Sequence, residues 1–103
     1  MTNSQFRYSA AEAEQPPVVT ASGDIDLANV NEFSDVLNGA AAESDAITVD
    51  LSDVSYCDSA AVRVLFAVAA TTKLGLIVPT TGPIITLLSI SGLDRIATVA
   101  TRD

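Results

Sequence analysis

The fold is decided by one stretch of the sequence, residues 46–72, which reads AITVDLSDVSYCDSAAVRVLFAVAATT. Apolar and polar side chains alternate over Ala46–Leu51, and this alternation predicts a strand with one buried face. The polar run Ser52–Asp58 predicts a connection. Apolar residues then recur at helical spacing over Ser59–Thr72, so we predict a helix with Ser59 at its start.

The two sides of this predicted helix differ in their expected roles. The side that faces the core follows i, i+3, i+4, i+7 spacing and consists of Val62, Leu65, Phe66 and Ala69. The opposite side carries one charge and consists of Ala60, Arg63, Val64, Ala67 and Val68. Because a helix with so little polar surface is either buried or covered by another molecule, we favour a docking surface in a domain of this size.

The sequence before residue 46 predicts two strands and a helix. We expect a loose tail over residues 1–5, strands at Phe6–Ala10 and Val18–Ser22, and a connection at Ala11–Pro17 that contains two prolines. Gly23 is expected to end the second strand, and Asp26 to cap the helix that follows. The buried face of that helix is predicted to consist of Val30, Phe33, Leu37 and Ala40 or Ala41.

The sequence after residue 72 predicts a strand, a helix and a final strand. The apolar run Leu74–Val78 is the predicted strand, and Pro79 closes it. A helix is expected to begin at Pro83, where a missing amide costs nothing, and to end at Gly92, with Leu93 packing behind it. Ile96–Ala100 is the last predicted strand, so the order of elements is β-β-α-β-α-β-α-β.

Charge and composition exclude several classes of function. The chain carries thirteen acids and five bases, a net charge of −8, which argues against nucleic acid and favours a partner with a basic face. The chain has no histidine, so Ser-His-Asp and Cys-His catalysis and most zinc sites are excluded. We therefore expect no catalytic residue, cofactor or metal, and we expect the lone Cys57 to be a small core residue.

The composition also bears on the cellular location. The most apolar run, residues 60–70, contains Arg63 and is too short to span a bilayer, and no targeting signal is visible at the amino terminus. We therefore expect a cytoplasmic protein that does not insert into a membrane.

Three segments resemble those of a known family, the STAS domain, and more narrowly the stand-alone bacterial anti-sigma factor antagonists. They are Gly23-Asp24-Ile25-Asp26 before the first helix, Asp50–Ser59 leading into the second, and Ser91-Gly92-Leu93 after the third. The resemblance extends roughly from Gln5 to Ala100, and the strand–acid–serine–helix segment is its most specific part. It implies one STAS-like α/β domain over residues 1–103, with a mixed sheet of about five strands and about three helices mainly on one face.

The resemblance also implies a partner-switching function. The unphosphorylated protein would bind an anti-sigma factor, expected to be a serine kinase, and so free a sigma factor. Phosphorylation of Ser59 would release the partner, and a serine phosphatase would reverse it. The residues expected to contact the partner are Asp24, Asp26, Asp58, Ser59, Ala60, Arg63, Val64 and Ala67.

Three alternatives remain at this point. Where the family continues with a second hydroxyl residue and a glycine, this chain has Ala60 and Ala61, so the domain is alternatively a STAS scaffold that is not phosphorylated, for example an accessory subunit of a transporter complex. Ser59 is alternatively only a helix cap. An enzymatic role for Asp50 as a phospho-acceptor is disfavoured, because Lys73 is the only lysine and no adjacent acid pair exists to hold Mg²⁺.

Overall fold

The computed structural model describes residues 5–9 and 15–102, and within them five strands form one mixed sheet in the order of the chain. The first pair of strands is antiparallel and the other three pairs are parallel. The strands are β1 (Gln5–Ser9), β2 (Val18–Ile25), β3 (Ala46–Cys57), β4 (Lys73–Pro79) and β5 (Thr98–Arg102). The helices are α1 (Val30–Ala41), α2 (Ser59–Ala69) and α3 (Pro83–Ser91), and a 3₁₀ turn follows at Leu93–Arg95.

The helices cover one face of the sheet because each connection between parallel strands leads to the next strand in the same direction across the sheet. Parallel crossovers are right-handed, so a constant direction places α1, α2 and α3 on the same side. Alternate strand residues are accordingly buried beneath them, among them Val19, Ala21, Ile47, Val49, Leu51, Leu74, Leu76 and Val78. The predicted alternation in the third strand is confirmed, as is the predicted fold class.

The edge strand β1 is held by two aromatic side chains. The ring of Phe6 lies 5.3 Å from the ring of Phe33 on α1, centroid to centroid. The hydroxyl of Tyr8 donates a hydrogen bond to the carboxylate of Glu43, which follows α1. Gln5, which the sequence had predicted to belong to a loose tail, is instead the first residue of β1. Residues 1–4 and 10–14, which include the end of the predicted first strand and most of its connection, lie outside the described residues.

Two strands extend beyond their predicted ends. β2 continues through Gly23, which has a φ of 81°, to Ile25, with a register irregularity between Gly23 and Asp24. β3 continues to Cys57, so the predicted connection Ser52–Asp58 is wrong except at its last residue. The two extensions pair with each other, Asp24 with Tyr56 and Ile25 with Cys57. Backbone pairing between these distant segments outweighs the polar composition of Ser52–Asp58, which had favoured a connection.

The start of α1 also differs from the prediction. Asn29, rather than Asp26, occupies the position before the first helical residue, Val30. The Oδ1 atom of Asp26 accepts from the backbone N–H of Ala28 at 2.9 Å, and Asn29 Oδ1 accepts from the N–H of Asp26 at 2.9 Å. Asp26 therefore shapes the turn before the helix. The predicted face of α1 is confirmed, since Val30, Phe33, Leu37 and Ala40 are buried.

The buried face of α2 is rotated from the prediction. The buried residues are Ala61, Val62, Leu65 and Val68. Val68, which we had predicted on the outer side, is buried in the core, whereas Phe66 and Ala69 are half-buried and pack against the core. Residues 61, 65 and 68 satisfy helical spacing as well as the predicted residues 62, 65, 66 and 69 do. Packing against α1 and the sheet therefore determines which side of α2 is buried.

The last part of the chain follows the prediction closely. Pro83 is the first residue of α3, Gly92 adopts a left-handed φ of 83° at its end, and Leu93 is fully buried. The last strand begins at Thr98 rather than Ile96, because Ile96 still belongs to the 3₁₀ turn. Its backbone N–H donates a hydrogen bond to the carbonyl of Leu93.

Candidate functional site

The amino terminus of α2 is capped by Asp58. Its Oδ1 atom accepts hydrogen bonds from the backbone N–H groups of Ala60, at 2.9 Å, and Ala61, at 3.3 Å. The N–H of Asp58 donates to the carbonyl of Ile25 at 3.2 Å, which ties the helix start to the end of β2. The cap is therefore the acid before Ser59, and the alternative that Ser59 serves as the helix cap is wrong.

Ser59 is the first residue of α2, and its side chain is exposed. Within residues 5–9 and 15–102 its hydroxyl makes no hydrogen bond. The group thus stands at the positive end of a helix dipole with its oxygen accessible from solvent.

The structure brings the predicted acids to one edge of the sheet. Asp24 pairs with Tyr56 at the ends of β2 and β3, and Asp26 follows in the turn before α1. Asp58 closes the same edge through its bond to Ile25. We call Asp24, Asp26 and Asp58 together the acidic rim, and Ser59 lies directly beside it.

The outer surface of α2 continues from this rim. Ser59, Arg63 and Ala67 are exposed and lie four residues apart, so they share one side of the helix. Ala60 and Val64 lie beside them and are half-buried, and the side chain of Val64 packs in part against the core. All eight predicted contact residues therefore lie on two adjoining surfaces, the acidic rim and the outer side of α2.

Two large apolar side chains at this edge were not predicted. Leu27 lies in the turn after Asp26 and is 78% exposed, and Tyr56 lies two residues before Asp58 and is 50% exposed. No sequence signal marked them, because Leu27 follows Asp26, the predicted helix cap, and Tyr56 stands in the predicted connection Ser52–Asp58. Exposed apolar groups with a polar surround are typical of protein contact surfaces.

Cys57 adjoins the site but is directed into the core. Burial, with a smaller contribution from the charge of Asp58, raises the pKa of its thiol from 9.0 to about 11. The side chain is buried, so the expectation of a small core residue is confirmed. Its thiol is protonated at neutral pH and is a poor nucleophile.

The face of the sheet away from the helices carries polar groups of a different kind. Asp50 Oδ2 pairs with Arg102 at 3.0 Å, and its Oδ1 accepts from the hydroxyl of Ser52 at 2.6 Å. A shallow cavity of about 250 Å³ on the same face is lined by Gln5, Arg7, Thr20, Ser22 and Asp53. None of these residues belongs to the predicted site.

Two properties of the described part of the chain bear on other functions. No three histidine, cysteine or acidic side chains lie close enough there to hold a metal ion. No helix among these residues is long and apolar enough to cross a membrane.

The fold and the strand–acid–serine–helix edge define an α/β domain of the STAS type. Residues 8–99 match the family described as "Mlab, STAS domain", and the chain belongs to that family. A comparison with curated protein sequences finds no significant match.

Several solved structures share the fold. An anti-sigma factor antagonist from Mycobacterium paratuberculosis superposes with a TM-score of 0.82 at 22% identity, over 94% of this chain and 85% of that one. The anti-sigma factor antagonist SpoIIAA in its unphosphorylated form gives 0.63 at 14% identity, over 96% and 88%. The Bacillus cell fate determinant SpoIIAA in its phosphorylated form gives 0.61 at 18% identity, over 95% and 93%. At these identities the likeness shows the fold.

Proposed function

We propose that this protein is an anti-sigma factor antagonist whose binding to an anti-sigma factor is switched off by phosphorylation of Ser59. The observation that carries the proposal is the exposed hydroxyl of Ser59, the first residue of α2, which lies beside the acidic rim and makes no hydrogen bond to the described residues. The fold is shared with proteins described as anti-sigma factor antagonists, one of them in a phosphorylated form. The partner we propose is a serine kinase, and a serine phosphatase would reverse the modification.

The proposed modification is a phosphoryl transfer from a nucleoside triphosphate held by the kinase. The oxygen of Ser59 forms a bond to the terminal phosphorus, and the bond from that phosphorus to the diphosphate leaving group breaks. The hydroxyl proton passes to a base of the kinase. The product carries about −1.5 to −2 charges and three acceptor oxygens.

The cap by Asp58 determines where the new charge acts. Asp58 already accepts from the amides of Ala60 and Ala61, so a phosphate on Ser59 does not find them free. The carboxylate also repels the dianion, which offsets the favourable helix dipole, worth ~0.3–1 kcal/mol at an exposed site. The phosphate therefore remains on the surface, and its main effect falls on the partner.

The partner has to match this surface in charge and in shape. The acidic rim favours a partner with a basic surface. The net charge of −8 would also steer such a partner towards this molecule. Leu27 and Tyr56 offer apolar side chains that a pocket in the partner can enclose. Where the partner's basic groups are already paired with the carboxylates of the acidic rim, a dianion added on Ser59 stays unmatched in the contact. That costs several kcal/mol, and each ~1.4 kcal/mol weakens binding tenfold.

A second candidate function is a STAS scaffold without phosphorylation, such as an accessory subunit of a transporter complex. The observation that favours it is Ala61, which is fully buried at the position where the resemblance to the antagonist family implies a glycine. A buried alanine and a bonded cap make the start of α2 rigid, and rigidity there disfavours a kinase that must bend the acceptor. In this role the same surface would bind its partner permanently.

The test compares binding of a candidate anti-sigma kinase to wild type, Ser59→Ala and Ser59→Asp by titration calorimetry. Ser89→Asp, on exposed α3, is the matched control because it adds the same charge elsewhere. We expect Ser59→Ala and Ser89→Asp to bind like wild type and Ser59→Asp to bind at least ~10-fold more weakly. Equal binding of all four would contradict the switch.

Mass spectrometry of protein purified from its own cells separates the two candidate functions. Phosphate on Ser59 supports the antagonist. An unmodified Ser59 in a chain that co-purifies with a transporter supports the scaffold and overturns the antagonist proposal.

A further inference from the structure

Asn29 stands at the start of α1, but its side chain does not cap the helix. It occupies the position before the first helical residue, Val30, where an asparagine normally accepts a hydrogen bond from an amide of the first turn. Among the described residues its side chain makes no such bond. The stabilisation that a cap usually gives is therefore forgone at this helix, and the side-chain amide is used elsewhere.

The side-chain amide of Asn29 is directed back into the connection between β2 and α1. Its Oδ1 atom accepts from the backbone N–H of Asp26 at 2.9 Å, and its Nδ2 atom donates to the backbone carbonyl of Asp24 at 2.8 Å. The carbonyl of Asp26 in turn accepts from the backbone N–H groups of Asn29, at 3.1 Å, and Val30, at 2.8 Å. We call residues 24–29 the rim turn. One side chain thus fixes the backbone of two members of the acidic rim.

Leu27 lies at the exposed part of the rim turn. Its side chain is 78% exposed, so packing in the core does not hold it in place. Its position depends instead on the hydrogen bonds that Asn29 makes around it. Leu27 and Ser59 each lie within two residues of the bond from the N–H of Asp58 to the carbonyl of Ile25, which joins the rim turn to the start of α2.

We propose that Asn29 is a positioning residue for partner binding, which holds the rim turn in the conformation that presents Leu27 to a partner with a basic surface. The inference rests on the proposed function. A partner that encloses Leu27 binds more tightly when the turn is already ordered in the free protein, because the cost of ordering it is not charged to binding. The carboxylates of the acidic rim, which surround Leu27, match a basic surface.

The chemistry of the two bonds requires an amide at position 29. Asparagine offers both a donor and an acceptor, whereas an ionised aspartate of the same shape only accepts. Asn29→Asp therefore sets a carboxylate oxygen against the carbonyl of Asp24. Aspartate is nevertheless as good a helix cap as asparagine, and its charge favours a basic partner. A capping role and a positioning role thus predict opposite results for this variant.

Titration calorimetry with the candidate anti-sigma kinase tests this difference. We expect Asn29→Ala and Asn29→Asp to bind at least ~5-fold more weakly than wild type. Asn38→Ala and Asn38→Asp, which make the same changes on the exposed side of α1, should bind within about twofold of wild type. Equal or tighter binding by Asn29→Asp overturns this inference and leaves the proposed function in place. A wild-type chain that does not bind overturns the proposed function and this inference with it.

A double-mutant cycle separates positioning from a loss of stability. Leu27→Ala should by itself weaken binding by about tenfold, as the loss of an enclosed apolar side chain does. If Asn29 acts by presenting Leu27, Asn29→Ala should weaken binding by less than about twofold further once Leu27 is already alanine. The same loss in both backgrounds would mean that Asn29 does not act through Leu27, and it would overturn the inference.

Amide hydrogen exchange measured by NMR examines the rim turn without a partner. The N–H of Asp26 should exchange at least ~5-fold faster in Asn29→Ala than in wild type, because Asn29 Oδ1 is its acceptor. Circular dichroism checks that the variant is folded. An unchanged exchange rate at Asp26 would show that the turn does not depend on Asn29, which would also overturn the inference.

Discussion

Removal of the Asp58 side chain should destabilise the domain, whereas removal of the neighbouring Ser59 hydroxyl should not. Asp58→Ala leaves two helix amides, those of Ala60 and Ala61, without their acceptor. Loss of such a cap costs ~0.5–2 kcal/mol, and loss of the charge at the helix dipole adds ~0.3–1 kcal/mol. We therefore expect the free energy of unfolding to fall by ~1.5 kcal/mol, and Tm by about 6–12 °C in a domain of this size.

Two further variants separate the cap from the charge. Asp58→Asn keeps the acceptor and loses the charge, so its loss should be ~0.3–1 kcal/mol. Ser59→Ala removes a hydroxyl that makes no hydrogen bond to the described residues and should change stability by less than ~0.5 kcal/mol. Urea denaturation followed by circular dichroism measures all three. A larger loss for Ser59→Ala than for Asp58→Ala would refute the assignment of the cap.

Two other predictions concern backbone conformation and pH. Gly92→Ala should destabilise by ~1–2 kcal/mol because its φ is 83°, whereas Gly39→Ala, inside α1 with nothing within 4 Å of the added carbon, should stabilise by ~0.5–1 kcal/mol in the same urea assay. Because the pKa of the buried Cys57 thiol is raised from 9.0 to about 11, the folded protein keeps a proton that the unfolded chain loses. Stability present below pH 9 should therefore be lost as the pH rises towards 11, by up to ~1.4 kcal/mol per pH unit, and Cys57→Ala should lack this part of the slope. Identical slopes in the two proteins would show that the thiol is not buried as described.

The candidate site was predictable in composition but not in detail. Asp58 and Ser59 stand out as an acid–hydroxyl pair at the predicted start of a helix, and the predicted acids do gather at one edge of the sheet. The exposure of Leu27 and Tyr56 was not predictable, because it depends on which neighbours the turn and the extended strand leave uncovered.

The sequence by itself determined the order of elements, the alternation in β3, the buried face of α1 and both ends of α3. These features depend on residues close together in the chain. Apolar side chains repeat every two residues in a strand and every 3.6 in a helix, Pro83 begins α3, and Gly92 ends it. Only the tertiary structure decided the length of β3, the buried side of α2 and the identity of its cap. The Tyr56–Asp24 pairing joins residues far apart in sequence, and α2 is apolar on too many sides for its own pattern to select one. Contacts with segments distant in sequence therefore determined these three features.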